Sequence, residues 1–210
     1  MPMYRRNLRK PSPDKNVYKF ASAKVGKTIM CESSLEFDAC FHHEYNESVR
    51  TFDSQPEGFY YQFEGKDLPY TPDTIVQYID GLIQLHEYKP LSKTHDPIFK
   101  AKFYAKRQAA QLLGMELILV TDEQIQVTPV LNNLKLLHRY SGTYTVCEIQ
   151  RELLSWVQAS GKCRLTEIAQ EYTLPIGEVR SYIFSLLNKG LLKSDVVQDD
   201  FSVNPSVWCN

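Results

Sequence analysis

Two short stretches carry residue types suited to chemistry: Pro72-Asp73 and, further along, Glu87-Tyr88-Lys89. Tyr70–Tyr78 mixes β-branched and aromatic residues, Asp80-Gly81 supplies a turn signal, and Leu82–Lys89 continues as a second run. Leu68 to Pro90 therefore reads as a β-hairpin. Alternation along a strand puts Glu87 and Lys89 on one face and Tyr88 on the other. A strict two-residue turn would pair Asp73 with Tyr88, so a bulge or a longer turn is needed for Asp73 to join them. Two carboxylates and an ammonium would then gather at one end of a largely apolar hairpin. Mg²⁺ takes oxygen ligands, and one or two carboxylates leave it positions for water and phosphate. The metal polarises a phosphoryl group and acidifies a bound water, while a lysine orients that water or offsets developing charge. A lone D…ExK is degenerate and also fits a surface hairpin with ordinary charges. The literal Pro-Asp and the terminal Lys-Pro add weight to the catalytic reading.

The elements that must position these groups follow from patterning. A helix opens at Ser33 or Ser34 and runs to about His43, with Leu35, Ala39 and Cys40 on its apolar stripe. Ser33-x-x-Glu36 is a capping box, in which Glu36 reaches back to the first turn. Val49–Phe52 and Phe59–Phe63 read as strands that join the hairpin in a small mixed sheet. His42 and His43 are adjacent and face different ways, and solvent exposure or packing on the hairpin suits them better than metal binding. Asp96-Pro97 opens a second helix, which runs to Leu113 and stops at Gly114. Lys102 and Lys106 fall inside its apolar arc, either snorkelling to the sheet edge or reaching phosphates beside the site. Met115–Thr121 is nearly continuous in apolar residues, the pattern of a strand buried on both faces. Thr121-Asp122 closes it, placed to support the site from its edge.

Pro129–Arg139 reads as a linking helix with Leu131, Leu134, Leu137 and His138 buried, and Ser141-Gly142 marks a domain boundary. Beyond it come helices at Val146–Ala159, Leu165–Tyr172 and Pro175–Asn188. Leu191–Val197 and Phe201–Val203 then read as a two-stranded wing, which makes residues 141–210 a winged helix-turn-helix domain. The presumed recognition helix starts acidic, at Glu178, and offers few basic residues for a groove, so a protein-docking role is at least as well supported as DNA binding.

Pro72-Asp73…Glu87-Tyr88-Lys89 resembles the PD-(D/E)xK pattern of restriction-endonuclease-like nucleases. With Ser34-Leu35-Glu36, Asp53-Ser54-Gln55-Pro56, Tyr70-Thr71 and Lys89-Pro90 around it, the chain is similar to the TnsA subunit of heteromeric bacterial transposases. The resemblance implies an α/β, restriction-endonuclease-like mixed-sheet core over residues 31–140. It implies a Mg²⁺-dependent DNA endonuclease, with Mn²⁺ substituting, that cleaves the 5′ (non-transferred) strands at transposon ends. Asp73 and Glu87 would hold the metal, Glu36 would add a ligand or order water, and Lys89 would position the attacking water. Glu32 is the fallback for Glu36. The implied partners are transposon-end DNA, a DDE transposase (TnsB-like) and, through the C-terminal domain, an AAA+ ATPase (TnsC-like). A free-standing restriction- or resolvase-like nuclease and a non-catalytic winged-helix regulator are the alternatives.

The whole chain is consistent with these readings. Its 210 residues are 43% hydrophobic and 23% charged, enough for one substantial domain or two small ones. No apolar run would span a bilayer and the basic N-terminus has no apolar core of a signal peptide, so no export is expected; the resemblance implies a cytoplasmic bacterial protein, nucleoid-associated when active. Five scattered cysteines, without a CxxC, read as reduced thiols rather than a zinc site. Residues 1–30 carry +7 in a chain whose net charge is −1, leaving −8 on the remainder. That makes a basic arm, suited equally to phosphate contact and to plain solvation.

Overall fold

The computed structural model describes residues 17–142 and 145–209. It divides after Gln126 into two compact units. The first unit opens with β1 (Tyr18–Ser22) and β2 (Lys27–Cys31), an antiparallel hairpin, followed by helix α1 (Ser34–Tyr45). Part of the expected basic arm is thus folded structure. Phe20, buried at the hairpin centre, meets Phe41 of α1 edge-on at 5.0 Å. Two of the arm's lysines have structural work: Lys24 Nζ donates to the His43 carbonyl in the last turn of α1 and to that of Asn46, which caps the helix, and Lys27 pairs with Asp53 at 2.6 Å. Ammonium groups suit a helix C-terminus, where unpaired carbonyls and the macrodipole both attract them. Residues 1–16 of the arm lie outside the described residues.

Strands β3 (Val49–Ser54), β4 (Phe59–Phe63), β5 (Lys66–Tyr70), β6 (Thr74–Tyr78) and β7 (Ile83–Lys89) come next. Short α2 (Leu91–Thr94), long α3 (Pro97–Leu112), β8 (Glu116–Thr121) and short α4 (Asp122–Ile125) complete the unit. The central sheet has the order β3-β6-β7-β8; β7 and β8 are parallel and the other pairs antiparallel. This is the expected mixed sheet with one exchange of members. Phe59–Phe63 does not join it but pairs with β5 in a separate hairpin. Glu64 and Gly65 turn that hairpin at φ 49° and 73°, the two positive values a tight two-residue turn demands. The apolar run through Tyr70 hid the break, because Tyr70 ends β5 and Thr74 starts β6.

Helices cover both faces of the sheet. Leu35 and Ala39 of α1 pack with Tyr88 and Ile125 on one side. On the other, Ala109 and Ala110 of α3 pack with Leu85, Leu117, Phe59, Tyr61 and Tyr70. Asp96 caps α3 as its residue type dictates, accepting from Ile98 N. The prediction that Met115–Thr121 is buried on both faces fails: β8 is an edge strand, and of its residues only Leu117 is fully buried.

The second unit contains α5 (Val130–His138), α6 (Glu148–Ser160), β9 (Cys163–Arg164), α7 (Leu165–Glu171), α8 (Ile176–Asn188), β10 (Lys193–Ser194) and β11 (Ser206–Trp208). Its core holds Leu153, Val157, Leu165, Ile168, Val179, Ile183, Phe184, Phe201 and Val207. The three helices stand where expected, but the small sheet differs: its order is β10-β11-β9, and Ser206–Trp208 takes the place foreseen for Phe201–Val203. Phe201 is wholly buried against Phe184, a core role rather than a strand role. The boundary also falls earlier than Ser141. Asn133 of α5 donates to Val196 O and Asp199 O and accepts from Phe201 N, and Asn188 donates to Leu137 O, so α5 belongs to this unit. Its buried side is Leu131, Asn133, Leu134 and Leu137, with His138 half-buried.

Candidate active site

The register of β6 and β7 decides the geometry. Thr74 faces His86 and Gln77 faces Ile83, so a loop longer than two residues joins the strands. The same register sets Asp73 opposite Glu87, and Asp73 N donates to His86 O at 3.0 Å. The longer turn thus removes the frame problem seen in the sequence. Glu87 points toward α3, where Lys106 Nζ lies 3.2 Å from both its carboxylate oxygens. Tyr88 points the other way, its hydroxyl 2.7 Å from His43 Nε2 of α1. The alternation expected along the strand is therefore present.

Each predicted site residue has a definite setting. Asp73 Oδ2 accepts from Tyr88 N at 2.8 Å, and Gln55 N binds the Asp73 carbonyl. Burial, then the charges of Glu87 and Glu36, push the Asp73 carboxyl up to about 7, against the Tyr88 amide and the more distant Lys106. Glu87 is buried, with Tyr70 OH donating to Oε2 and Lys106 to both oxygens. Glu36 is also buried and makes the cap: Oε1 accepts from Ser33 Oγ at 2.8 Å and Oε2 from Glu32 N at 2.9 Å. Its charge nevertheless reaches Asp73. Glu32 supplies its backbone amide to that cap. Lys89 stands at the end of β7 with Nζ 5.7 Å from the Phe99 ring centroid and makes no ion pair with a described carboxylate. Asp122 Oδ1 accepts from Leu91 N at 2.8 Å, which holds the chain just past Lys89.

Sequence reasoning left two participants unassigned. Lys106 interrupts the apolar arc of α3 because its ammonium runs to Glu87 and over the Tyr70 ring, 3.9 Å from the centroid. Lys102, the companion anomaly, lies over Phe63 at 5.6 Å. A cation at an otherwise apolar helix position was the available signal. Tyr70 could be found only by seeing that β5 ends there, beside the motif.

Among the described residues no group of three His, Cys, Asp or Glu side chains forms a ready metal cage. The arrangement is a pair of carboxylates, Asp73 being held above its usual titration range by burial first and by the charges of Glu87 and Glu36 after it. Two neighbouring carboxylates, with Lys106 beside Glu87 as their counter-charge, are oxygen donors of the kind a hard divalent cation takes while keeping water and phosphate as its remaining ligands.

Residues 46–122 match the family model described as TnsA-like endonuclease N terminal. Over this segment the chain is similar to TnsA-like endonucleases. The match spans β3 through β8 and so includes Asp73, Glu87, Lys89 and Lys106, whereas Glu36 lies before it. No curated protein matches the chain. Among the described residues no helix is long and apolar enough to cross a membrane.

Proposed function

We propose that the chain is the metal-dependent DNA endonuclease subunit of a transposase, cutting the 5′ (non-transferred) strands at transposon ends. The observation that carries this reading is the facing of Asp73 and Glu87 across β6 and β7, inside the segment that matches the TnsA-like endonuclease model. Asp73 and Glu87 would hold Mg²⁺, or Mn²⁺ in its place, and Glu36 would add a carboxylate or order a water. When bound, the metal supplies Lewis-acid polarisation of the scissile phosphate and a more acidic water. The chain's own part is positional. Tyr70 and Lys106 fix the Glu87 carboxylate, the Tyr88 amide fixes one Asp73 oxygen, and Lys89 stands on the Glu87 face to orient the attacking water. Asp122 steadies that lysine's strand end.

For the second unit we propose a winged helix-turn-helix that docks an AAA+ ATPase of the TnsC kind, while a DDE transposase of the TnsB kind joins the 3′ ends. Two features support protein docking over groove binding. The first turn of α8 carries Glu178, and Arg180 folds back to the Ser202 and Val203 carbonyls. The test is the product spectrum. Strand transfer needs only 3′ hydroxyls, so a folded Asp73→Ala or Glu87→Ala chain supplied with its partners should convert simple insertions into cointegrates without abolishing joining. Long-read sequencing of the products reads this directly; unchanged simple insertions with either variant would remove the assignment.

A further inference from the structure

Lys106 stands where a divalent cation would have to compete. Its ammonium is equidistant, at 3.2 Å, from the two Glu87 oxygens, and both side chains are largely withdrawn from solvent, 14% and 11% exposed. The Tyr70 ring backs it at 3.9 Å and the Tyr70 hydroxyl binds the same carboxylate. A lysine that merely snorkelled from the apolar face of α3 would seek water. This one turns inward, to a carboxylate on the neighbouring strand. Lys89, the lysine of the sequence motif, makes no such contact and lies by Phe99.

We propose that Lys106 is a positioning residue that acts as an internal counter-cation: it holds Glu87 in place before metal arrives, and a divalent cation must displace it to bind. This rests on the reading of Asp73 and Glu87 as metal ligands. An ammonium at hydrogen-bond distance occupies both oxygens that a metal would take, and two cations sharing one carboxylate repel each other. The centre is thereby kept assembled yet weakly receptive, and metal affinity rises when the ammonium is drawn away.

The experiment is Mn²⁺ titration of the full chain by calorimetry, without DNA. Lys106→Met, which keeps the length and loses the charge, should bind Mn²⁺ about tenfold more tightly than the wild type. Lys106→Arg should bind near the wild-type level, and Lys89→Met should not show the gain. A residue serving only to pack on Tyr70 would change thermal stability and leave metal affinity alone. Equal or weaker Mn²⁺ binding by a folded Lys106→Met, with binding lost in Asp73→Asn, would overturn the displacement while leaving the metal centre standing. Binding that survives Asp73→Asn, or is absent from every form, would overturn the centre itself and the displacement with it. Should Lys106→Met not fold, Mg²⁺ titration of the wild type labelled with ¹³C-lysine decides the point. The Lys106 ε-carbon signal, assigned with Lys106→Arg, moves if the ammonium is displaced and stays if it is not.

Discussion

At the scale of single residues the site rests on a buried polar cluster whose members titrate in opposite senses. His43 lies among Phe52, His86 and Tyr88; burial, then electrostatic repulsion from His86, His42 and Lys24 against a second proton, press its imidazole down to about 3. His86 is pressed to about 4, chiefly by burial. A histidine held neutral in the fold contributes fully above its unfolded pKa near 6.5, and loses that contribution as the pH falls toward the folded value. Asp73, raised to about 7, runs the other way over the same window, because its folded form takes up the proton first. The two trends partly cancel in the wild type, so the informative quantity is a difference between proteins. The stability advantage of wild type over His43→Gln should shrink by about 2 kcal/mol between pH 7 and pH 5. Urea denaturation at the two pH values measures it, and a constant difference would mean that His43 is charged inside the fold. The sequence left the histidines either in solvent or packed on the hairpin, since adjacent positions on a helix diverge. The partnership of His43 with Tyr88 was not legible, because nothing local announces a contact between residues forty-five positions apart.

At the scale of elements, what could be read was whatever announces itself by local chemistry. Asp96-Pro97 opens α3 and Gly114 follows it with φ 75°, as the residue types require. Ser33 caps α1. What could not be read was pairing. Pro69 inside β5 argues against a strand by propensity, yet among the described residues β5 pairs with β4 alone, and a proline on its open side costs no ladder bond. That hairpin carries Tyr70 to Glu87, so its turn matters to the site. At Gly65 an added Cβ would meet nothing within 4 Å, and φ is +73°. The penalty for a side chain there is therefore purely conformational. Gly65→Ala should cost about 1 kcal/mol, and Gly65→Asn distinctly less, because asparagine visits the left-handed region more readily. Chemical denaturation of the two variants gives the comparison; equal costs would place the turn outside that region.

For the whole molecule, the physical reason that the boundary was misplaced is the same one that makes it testable. Ser141-Gly142 looks like a linker because small and flexible residues end a helix there, and composition says nothing about which side that helix packs on. Leu131, Leu134 and Leu137 have the spacing of a buried stripe whichever unit receives them. The deciding residue is Asn133, 1% exposed, whose amide satisfies two carbonyls and one N–H in the segment from Val196 to Phe201. Removing it leaves buried polar groups without partners at about 1–3 kcal/mol for each that finds no water. A fragment of residues 127–210 should therefore unfold cooperatively on its own, with the full near-ultraviolet signature of a packed core around Phe184 and Phe201. A fragment of residues 143–210 lacks Asn133 and the three leucines, exposes the surface they cover, and should be less stable by several kcal/mol, on the order of 2–5 for each large apolar side chain lost from a core. Asn133→Ala in the longer fragment separates the two contributions: it should lose the hydrogen bonds but retain the apolar stripe and fall between the other two. Equal stability of the two fragments would show that α5 is a passenger rather than a member of the second core, and would return the boundary to Ser141.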